Sequence, residues 1–209
     1  GIVPSNIWCD LDETGHNRNA KYELKKLFPE LSTYQLFSTP KPTRLINKIL
    51  RISTKEDDII LDFFGGSCTT ADSIFQVNAE DGGKRRFIMV QLQERHSEDN
   101  DVPDICSFGK ERIRRAGKKI KEESPLTTQD LDSGFRVLKL DSTNMEDIYY
   151  TPKDISQANL FSLVDNVKSD RTAEDLLFQV MLELGATLDS KIATEVVAGK
   201  TIYNVAEGY

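Results

Sequence analysis

The segment of this sequence best suited to hold a ligand is a carboxylate followed closely by a glycine turn. Asp62 lies near the end of a short apolar run, and Gly65-Gly66-Ser67 follow it. A glycine turn between a strand and a helix lets the backbone approach a ligand, and it directs free N–H groups and the helix dipole at that ligand. These residue types, in this order, indicate a small-molecule site at the start of a helix.

Three ligand classes use such a turn, and the residues after the glycines distinguish them. A nucleoside triphosphate site requires a lysine, which does not follow here, and a dinucleotide site requires a Gly-x-Gly-x-x-Gly spacing, which residues 65–70 lack. The third class, S-adenosylmethionine sites, combines an acid with a glycine turn, and Asp62 would give that cationic ligand a carboxylate partner. A plain strand–helix turn without any ligand stays open as the alternative.

The elements that position this turn read as a strand–turn–helix–strand unit of about 30 residues, the size of a βαβ motif. Two apolar runs, residues 59–64 and 86–92, predict buried strands, and residues 69–77 predict the helix between them. Another helix is predicted directly after Pro42. Residues 105–122 predict a further helix, with an apolar side and a strongly basic remainder. The basic residues on that remainder are Lys110, Arg112, Arg114, Arg115, Lys118, Lys119 and Lys121.

The rest of the chain carries weaker patterns. Residues 12–20 are polar and predict a loop, and residues 21–28 predict a short amphipathic helix. Alternation over residues 135–140 predicts a strand. Further predictions are helices over 157–167 and 172–184, then a hairpin of strands 192–197 and 201–205.

Composition limits the classes of protein to which the chain can belong. The three cysteines are widely spaced, odd in number and without a CxxC pair, which predicts a cytoplasmic protein without a structural metal site. No apolar run approaches the ~20 residues that cross a bilayer, so we expect no membrane association. The net charge of −7 argues against the whole chain being a nucleic-acid-binding surface.

Several motifs, in order, resemble those of amino-group DNA methyltransferases. The D-x-F-x-G-S-G-T-T motif that binds S-adenosylmethionine in that family resembles residues 62–70 (DFFGGSCTT). Its upstream "KP…LI" motif, in the beta-class order, resembles residues 39–46, and its following strand resembles residues 86–94. The "ERIRRA" helix of the modification subunit of type III restriction–modification systems is similar to residues 110–116. The chain therefore resembles the C-terminal portion of a beta-class adenine-N6 methyltransferase of this kind.

The resemblance implies an α/β protein: a partial Rossmann-like, S-adenosylmethionine-dependent methyltransferase fold followed by a small α/β accessory region. Residues 1–36 would be the end of a preceding region, and residues 37–123 the cofactor-binding part. Residues 124–133 would be a linker, and residues 134–209 the accessory region.

The resemblance also assigns roles to residues that match the family's motifs. Asp62 would hold the amino-acid end of S-adenosylmethionine, and Gln91 stands where many relatives carry a ribose-binding acid, with Glu94 three residues on. The full set of expected cofactor-binding residues is Phe37, Thr39, Lys41, Pro42, Asp62, Phe63, Phe64, Gly66, Ser67, Thr69, Gln91 and Glu94.

Two departures from the family pattern bear on activity. The family's [D/N/S]-P-P-[Y/F/W] motif, which accepts the protons of the target amine, is missing, since the sequence has no Pro-Pro pair. We therefore expect the chain to begin after that motif, to hold no catalytic residue and to be inactive alone. Cys68 stands where the family has its second glycine, and a Cβ there would cost about 1 kcal/mol or more if the backbone needs a positive φ.

The implied partners belong to the full-length protein. They are double-stranded DNA, a second modification subunit and a restriction subunit. Two alternatives stay open: a non-catalytic interaction module that keeps the methyltransferase fold, and a cytosine-N4 methyltransferase, which shares these motifs. The basic side of residues 105–122 could contact DNA, although a solvated helix face is the commoner explanation, because acidic residues are mixed in at Glu111, Glu122 and Glu123.

Overall fold

The structure is a computed structural model that describes residues 7–95, 104–146 and 166–208. Its elements, in chain order, are α1 (Leu11–Thr14), α2 (Asn17–Leu27), α3 (Thr43–Ser53), β1 (Ile59–Asp62), α4 (Thr69–Asp81), β2 (Arg86–Met89), α5 (Ile105–Glu123), α6 (Ala173–Glu183), β3 (Ile192–Val197) and β4 (Lys200–Val205). The chain forms two compact units, residues 1–134 and 135–209. None of the described helices is both long enough and apolar enough to cross a membrane. The protein is therefore mixed α/β with small sheets.

A parallel strand pair joined by a helix forms the centre of the first unit. β1 pairs with β2 in a register that runs from Ile59 opposite Arg86 to Asp62 opposite Met89, and α4 connects the two strands. Gly82 ends α4 in the left-handed conformation, with φ +72°, which glycine adopts without a steric cost. The predicted strand–turn–helix–strand unit is confirmed.

One face of this strand pair is packed and the other is exposed. Leu50 of α3 and Ile74 and Val77 of α4 form a buried cluster, against which Ile60 and Phe87 of the strands pack. The alternate strand residues point away, and Ile59 and Leu61 are 54% and 57% exposed. The prediction of fully buried strands is therefore wrong for this face, because no described element covers it.

α2 packs against α5 through aromatic rings. Phe28, at the end of α2, stacks on Phe108 of α5 with ring centroids 4.7 Å apart. The predicted loop over residues 12–20 is wrong, because local caps start helices there. Asp10 caps α1, and His16 forms a capping box with Asn19 at the start of α2.

The second unit is a helix followed by an antiparallel hairpin. α6 contributes Met181 to a small buried cluster. The cluster also holds Ala186, which follows α6, and Val205, which ends β4. β3 pairs with β4 across a turn at residues 198–199, which confirms the predicted hairpin.

The predicted strand over residues 135–140 is wrong, since this segment is irregular. The guanidinium of Arg136 donates to the carbonyl oxygens of Leu188 and Ser190, so a side chain attaches this segment where a strand ladder was expected. Most of the helix predicted over residues 157–167 lies outside the described residues.

Candidate functional site

The loop between β1 and α4 is a tight turn with two residues at positive φ. Gly66 has φ +50° and Cys68 has φ +57°, and the Cys68 N–H donates to the carbonyl of Gly65 over 2.7 Å. The Gly65 N–H donates to the carbonyl of Val90 over 3.0 Å, which ties the loop to the segment after β2. Two hydrogen bonds therefore fix the backbone conformation of the loop, one within the loop and one to the segment after β2.

Asp62 organises the start of this loop. One carboxylate oxygen accepts the backbone N–H of Phe64 at 3.1 Å, and the other accepts the hydroxyl of Thr70 at 2.6 Å. Because each carboxylate oxygen can accept two hydrogen bonds and Asp62 is only half-buried, the group can still bind an incoming cation. The residue that was predicted to hold the cofactor thus lies fixed at the carboxyl end of β1.

Gln91 reaches the same loop from the end of β2. Its Oε1 accepts the backbone N–H of Gly66 at 2.8 Å, and its Nε2 donates to the carbonyl of Leu92 at 3.1 Å. Asp62 and Gln91 therefore both bond the loop from the carboxyl ends of two parallel strands, which is where ligands bind in open α/β sheets. Glu94 lies further along this segment and is exposed.

The segment before α3 contacts the glycine loop directly. A Cβ built on Gly66 would lie 3.5 Å from Cζ of Phe37, so the aromatic ring lies against the glycine. The hydroxyl of Thr69 donates to the carbonyl oxygen of Lys41 over 3.3 Å. Two motifs that are some 28 residues apart in sequence are thus adjacent in space. Of the other predicted residues in this segment, Pro42 is buried as the N-cap of α3 and Thr39 is exposed.

Two aromatic side chains extend from the end of β1. Phe63 and Phe64 are 60% and 81% exposed, and their ring centroids are 5.1 Å apart at 52°. Exposed aromatic faces of this size are unusual for a monomeric surface and are well suited to contact a flat or apolar ligand group.

Cys68 adopts the left-handed conformation, with φ +57°, which costs a residue with a Cβ more than it costs glycine. Its side chain is buried against α5, since a Cβ built on Gly109 would lie only 2.6 Å from the Cys68 Sγ. Burial raises the pKa of the Cys68 thiol to about 11, although the nearby Arg112 cation acts in the opposite direction. The thiol is therefore protonated at neutral pH and behaves as a small apolar group.

Arg112 is buried, although the sequence pattern predicts an exposed position for it. The prediction that it belongs to the basic, solvated side of α5 is wrong: its side chain is fully buried and forms an ion pair with Asp72 of α4 at 2.9 Å. The signal was its spacing, because Arg112 lies one helical turn after Phe108 and one turn before Ala116, both of which are buried.

The chain is similar to DNA methylases of known type. A family model described as a DNA methylase matches residues 1–100. The StyLTI Mod subunit of a type III restriction–modification enzyme, from Salmonella typhimurium, is 36% identical over 141 residues, which are 65% of this chain and 20% of that protein. The EcoP15I Mod subunit of Escherichia coli is 35% identical over 128 residues, 59% of this chain and 18% of that protein. The resemblance to type III modification subunits is confirmed.

A further relative lies outside the type III systems. The type II methyltransferase M.KpnI of Klebsiella pneumoniae is 36% identical over 90 residues, 43% of this chain and 20% of that protein. The chain spans about a fifth of the length of these curated relatives. The stretch matched by the DNA methylase model, residues 1–100, includes every predicted cofactor residue, whereas Arg112 lies beyond it.

Proposed function

We propose that this chain is the cofactor-binding part of an adenine-N6 DNA methyltransferase, within the modification subunit of a type III restriction–modification system. The observation that carries the proposal is the meeting of residues 37–41 with the glycine loop, beside Asp62 and Gln91. These are the segments that carry the resemblance to methyltransferase motifs. The relatives that are 35–36% identical to this chain include modification subunits of type III enzymes.

The residues at this site fit S-adenosylmethionine as a ligand. Asp62 offers a positioned carboxylate to the ammonium of its amino-acid part, and Gly66 allows close approach of the ligand to the backbone. Phe37, Phe63 and Phe64 provide apolar surface. Of the other predicted residues, Thr39 and Lys41 are exposed and would contact the amino-acid part of the ligand. Pro42, Ser67 and Thr69 are buried and would support the site from within the protein.

The ribose contact is assigned to the segment after β2. Gln91 already accepts the Gly66 N–H, so it holds the loop in place, and it would lie beside the ligand. The exposed carboxylate of Glu94 is the better acceptor for ribose hydroxyls, because a charged acceptor forms the stronger hydrogen bond.

Methyl transfer to adenine requires more than this site. When bound, the cofactor supplies the methyl group, and the target adenine is flipped out of the duplex to reach it. We propose that β1, α4 and β2 belong to a larger Rossmann-like fold, in which further elements would cover the exposed side of Ile59 and Leu61. The acceptor motif, the DNA contacts, a second modification subunit and the restriction subunit would act through the complete cytoplasmic enzyme.

A second candidate function is a non-catalytic module that keeps the fold but no longer binds the cofactor. The observation that favours it is the non-glycine residue at positive φ, Cys68, inside the loop that would face the ligand. A cytosine-N4 enzyme is a closer variant of the first proposal, since it shares the site and differs in the acceptor.

Calorimetric titration of S-adenosylmethionine into the chain tests the proposal. In Asp62→Asn, the amide can keep the hydrogen bonds to Phe64 and Thr70 while the negative charge is lost. We expect the parent to bind and the variant to bind on the order of tenfold more weakly, because a hydrogen bond to a charged group contributes about 1.5–3 kcal/mol.

Asp58→Asn is the matched control, since Asp58 accepts the Lys55 N–H near the opposite end of β1. It should bind the cofactor as the parent does. Equal loss in both variants would contradict the assignment of Asp62, and a parent that does not bind would favour the non-catalytic module.

The sequence also predicts that this chain alone does not methylate DNA. It lacks the acceptor motif, and proton acceptors and orientation supply the catalysis in this reaction. A tritiated methyl group from S-adenosylmethionine should therefore not appear in duplex DNA after incubation with the pure chain. Its appearance would contradict the prediction, and its position on adenine N6 or cytosine N4 would distinguish the two enzyme classes.

A further inference from the structure

We propose that Arg112 is a positioning residue that holds the glycine loop in its ligand-competent shape and joins it to the segment before α3. The significance of this role for cofactor affinity rests on the proposed function. The role itself concerns the conformation of the loop, which can be measured in the chain without any ligand.

The guanidinium of Arg112 contacts the loop residues where α4 begins and also a carboxylate in the first turn of α4. Its Nε and Nη2 donate to one carboxylate oxygen of Asp72, at 3.1 and 2.9 Å. Its Nη1 donates to the hydroxyls of Ser67 and Thr69, at 3.1 and 2.8 Å. Ser67 and Thr69 are the residues on either side of Cys68, so Arg112 fixes the backbone around the residue at positive φ.

The contact extends to the segment before α3 through Thr69. The Thr69 hydroxyl accepts from Arg112 and donates to the carbonyl of Lys41, so one hydroxyl joins α5, the loop and that segment. On the other side, Asp72 accepts from the amide of Gln76, and Gln76 accepts from the amide of Asn47 in α3. Arg112 therefore stands in a continuous polar network that includes both segments of the candidate site.

Electrostatics favour a specific role over general packing. A cation at the N-terminus of a helix is repelled by the helix dipole, and a buried charge loses its hydration. Arg112 bears both penalties, and Asp72 with the two hydroxyls offsets them only in this geometry. Arginine is required here because its planar fork can reach a carboxylate and two hydroxyls at once, whereas a lysine ammonium is a point donor.

Hydrogen–deuterium exchange of the whole chain, without ligand, tests the inference through Arg112→Lys. We expect amides of residues 65–70 to exchange on the order of tenfold faster in this variant, because lost hydrogen bonds to a charged donor open the loop. The matched control is Arg115→Lys on the same helix, since Arg115 contacts the Phe28 ring, Glu30 and Glu111. It should leave residues 65–70 unchanged.

Thr69→Val is the second variant, and it is decisive if Arg112→Lys does not fold. It removes the hydroxyl that links Arg112 to Lys41 while keeping the shape of the side chain. We expect faster exchange of the loop and of residues 37–45, with the rest of the first unit unchanged. Loop exchange equal to that of the parent, or a uniform increase over the whole unit, would overturn the inference.

The affinity for S-adenosylmethionine separates this inference from the proposed function. If the parent binds, Arg112→Lys should weaken binding on the order of tenfold, and Arg115→Lys should not. A parent that does not bind would count against the proposed function alone, and the exchange data would still decide the role of Arg112. Unchanged affinity together with unchanged loop exchange would overturn the inference alone.

Discussion

The close approach of Cys68 to Gly109 allows a sharp test of how the glycine loop packs against α5. Gly109 lies inside α5, and a Cβ built on it would be 2.6 Å from the Cys68 Sγ. Cys68 has only one side-chain torsion and is 6% exposed, so the sulfur has little space into which it can move. Gly109→Ala should therefore clash in the parent and should fit once Cys68 is replaced by glycine.

The magnitude follows from two opposing terms. Overpacking a well-packed core costs about 1–3 kcal/mol, while alanine favours a helix interior over glycine by about 1 kcal/mol. In the parent, the clash should outweigh the helix preference, and Gly109→Ala should destabilise the first unit. In the Cys68→Gly background the nearest remaining neighbour is the Gly66 carbonyl oxygen at 3.4 Å, so the same substitution should be stabilising.

Urea unfolding of the parent, the two single variants and the double variant, followed by circular dichroism, measures this coupling. The expected coupling free energy is about 1–3 kcal/mol, the size of the clash itself. Additivity to within about 0.5 kcal/mol would refute the reasoning, because it would mean that the thiol and Gly109 are not in contact.

Two further predictions concern stability. The side-chain amide of Asn78 is buried and bonds both the N–H and the carbonyl of Arg85, at 3.1 and 2.9 Å. Asn78→Ala should lower the free energy of unfolding by about 2 kcal/mol, because it leaves these buried backbone groups without partners. Urea titrations measure this difference. Because burial raises the pKa of Cys68 to about 11 in the folded chain, the unfolded chain should release this thiol proton first as pH rises. Between pH ~9 and ~11 the free energy of unfolding should therefore fall by about 2–3 kcal/mol relative to Cys68→Gly, and parallel pH profiles for the two proteins would contradict this.

Local patterns were sufficient for most of the first unit's elements. The strand–helix–strand unit around Asp62, the helix after Pro42 and the helix that begins at Ile105 all follow from the period of their apolar residues. The hairpin of β3 and β4 follows from turn residues between two strand-like runs. In each of these cases, neighbours within a few residues decide the structure.

Patterns failed where a partner distant in the sequence decides the structure. Residues 135–140 alternate like a strand, yet a strand needs a neighbouring strand to pair with, and the Arg136 side chain binds carbonyl groups about 50 residues away. The helices at residues 11–14 and 17–27 were missed in part for a different reason. Side-chain caps at Asp10 and His16 start them, and the polar residues there resemble a loop.

The sequence by itself determined the residue types of the candidate site: an acid, a glycine turn, and the Thr-Pro-Lys-Pro segment upstream, together with the family they resemble. Only the tertiary structure decided how they are held. Gln91 turns its amide to Gly66, Thr69 reaches Lys41, and Arg112 is buried against Asp72. These contacts join residues 25 to 40 positions apart. Periodicity reports only which side of its own element a residue occupies, so it cannot identify such partners.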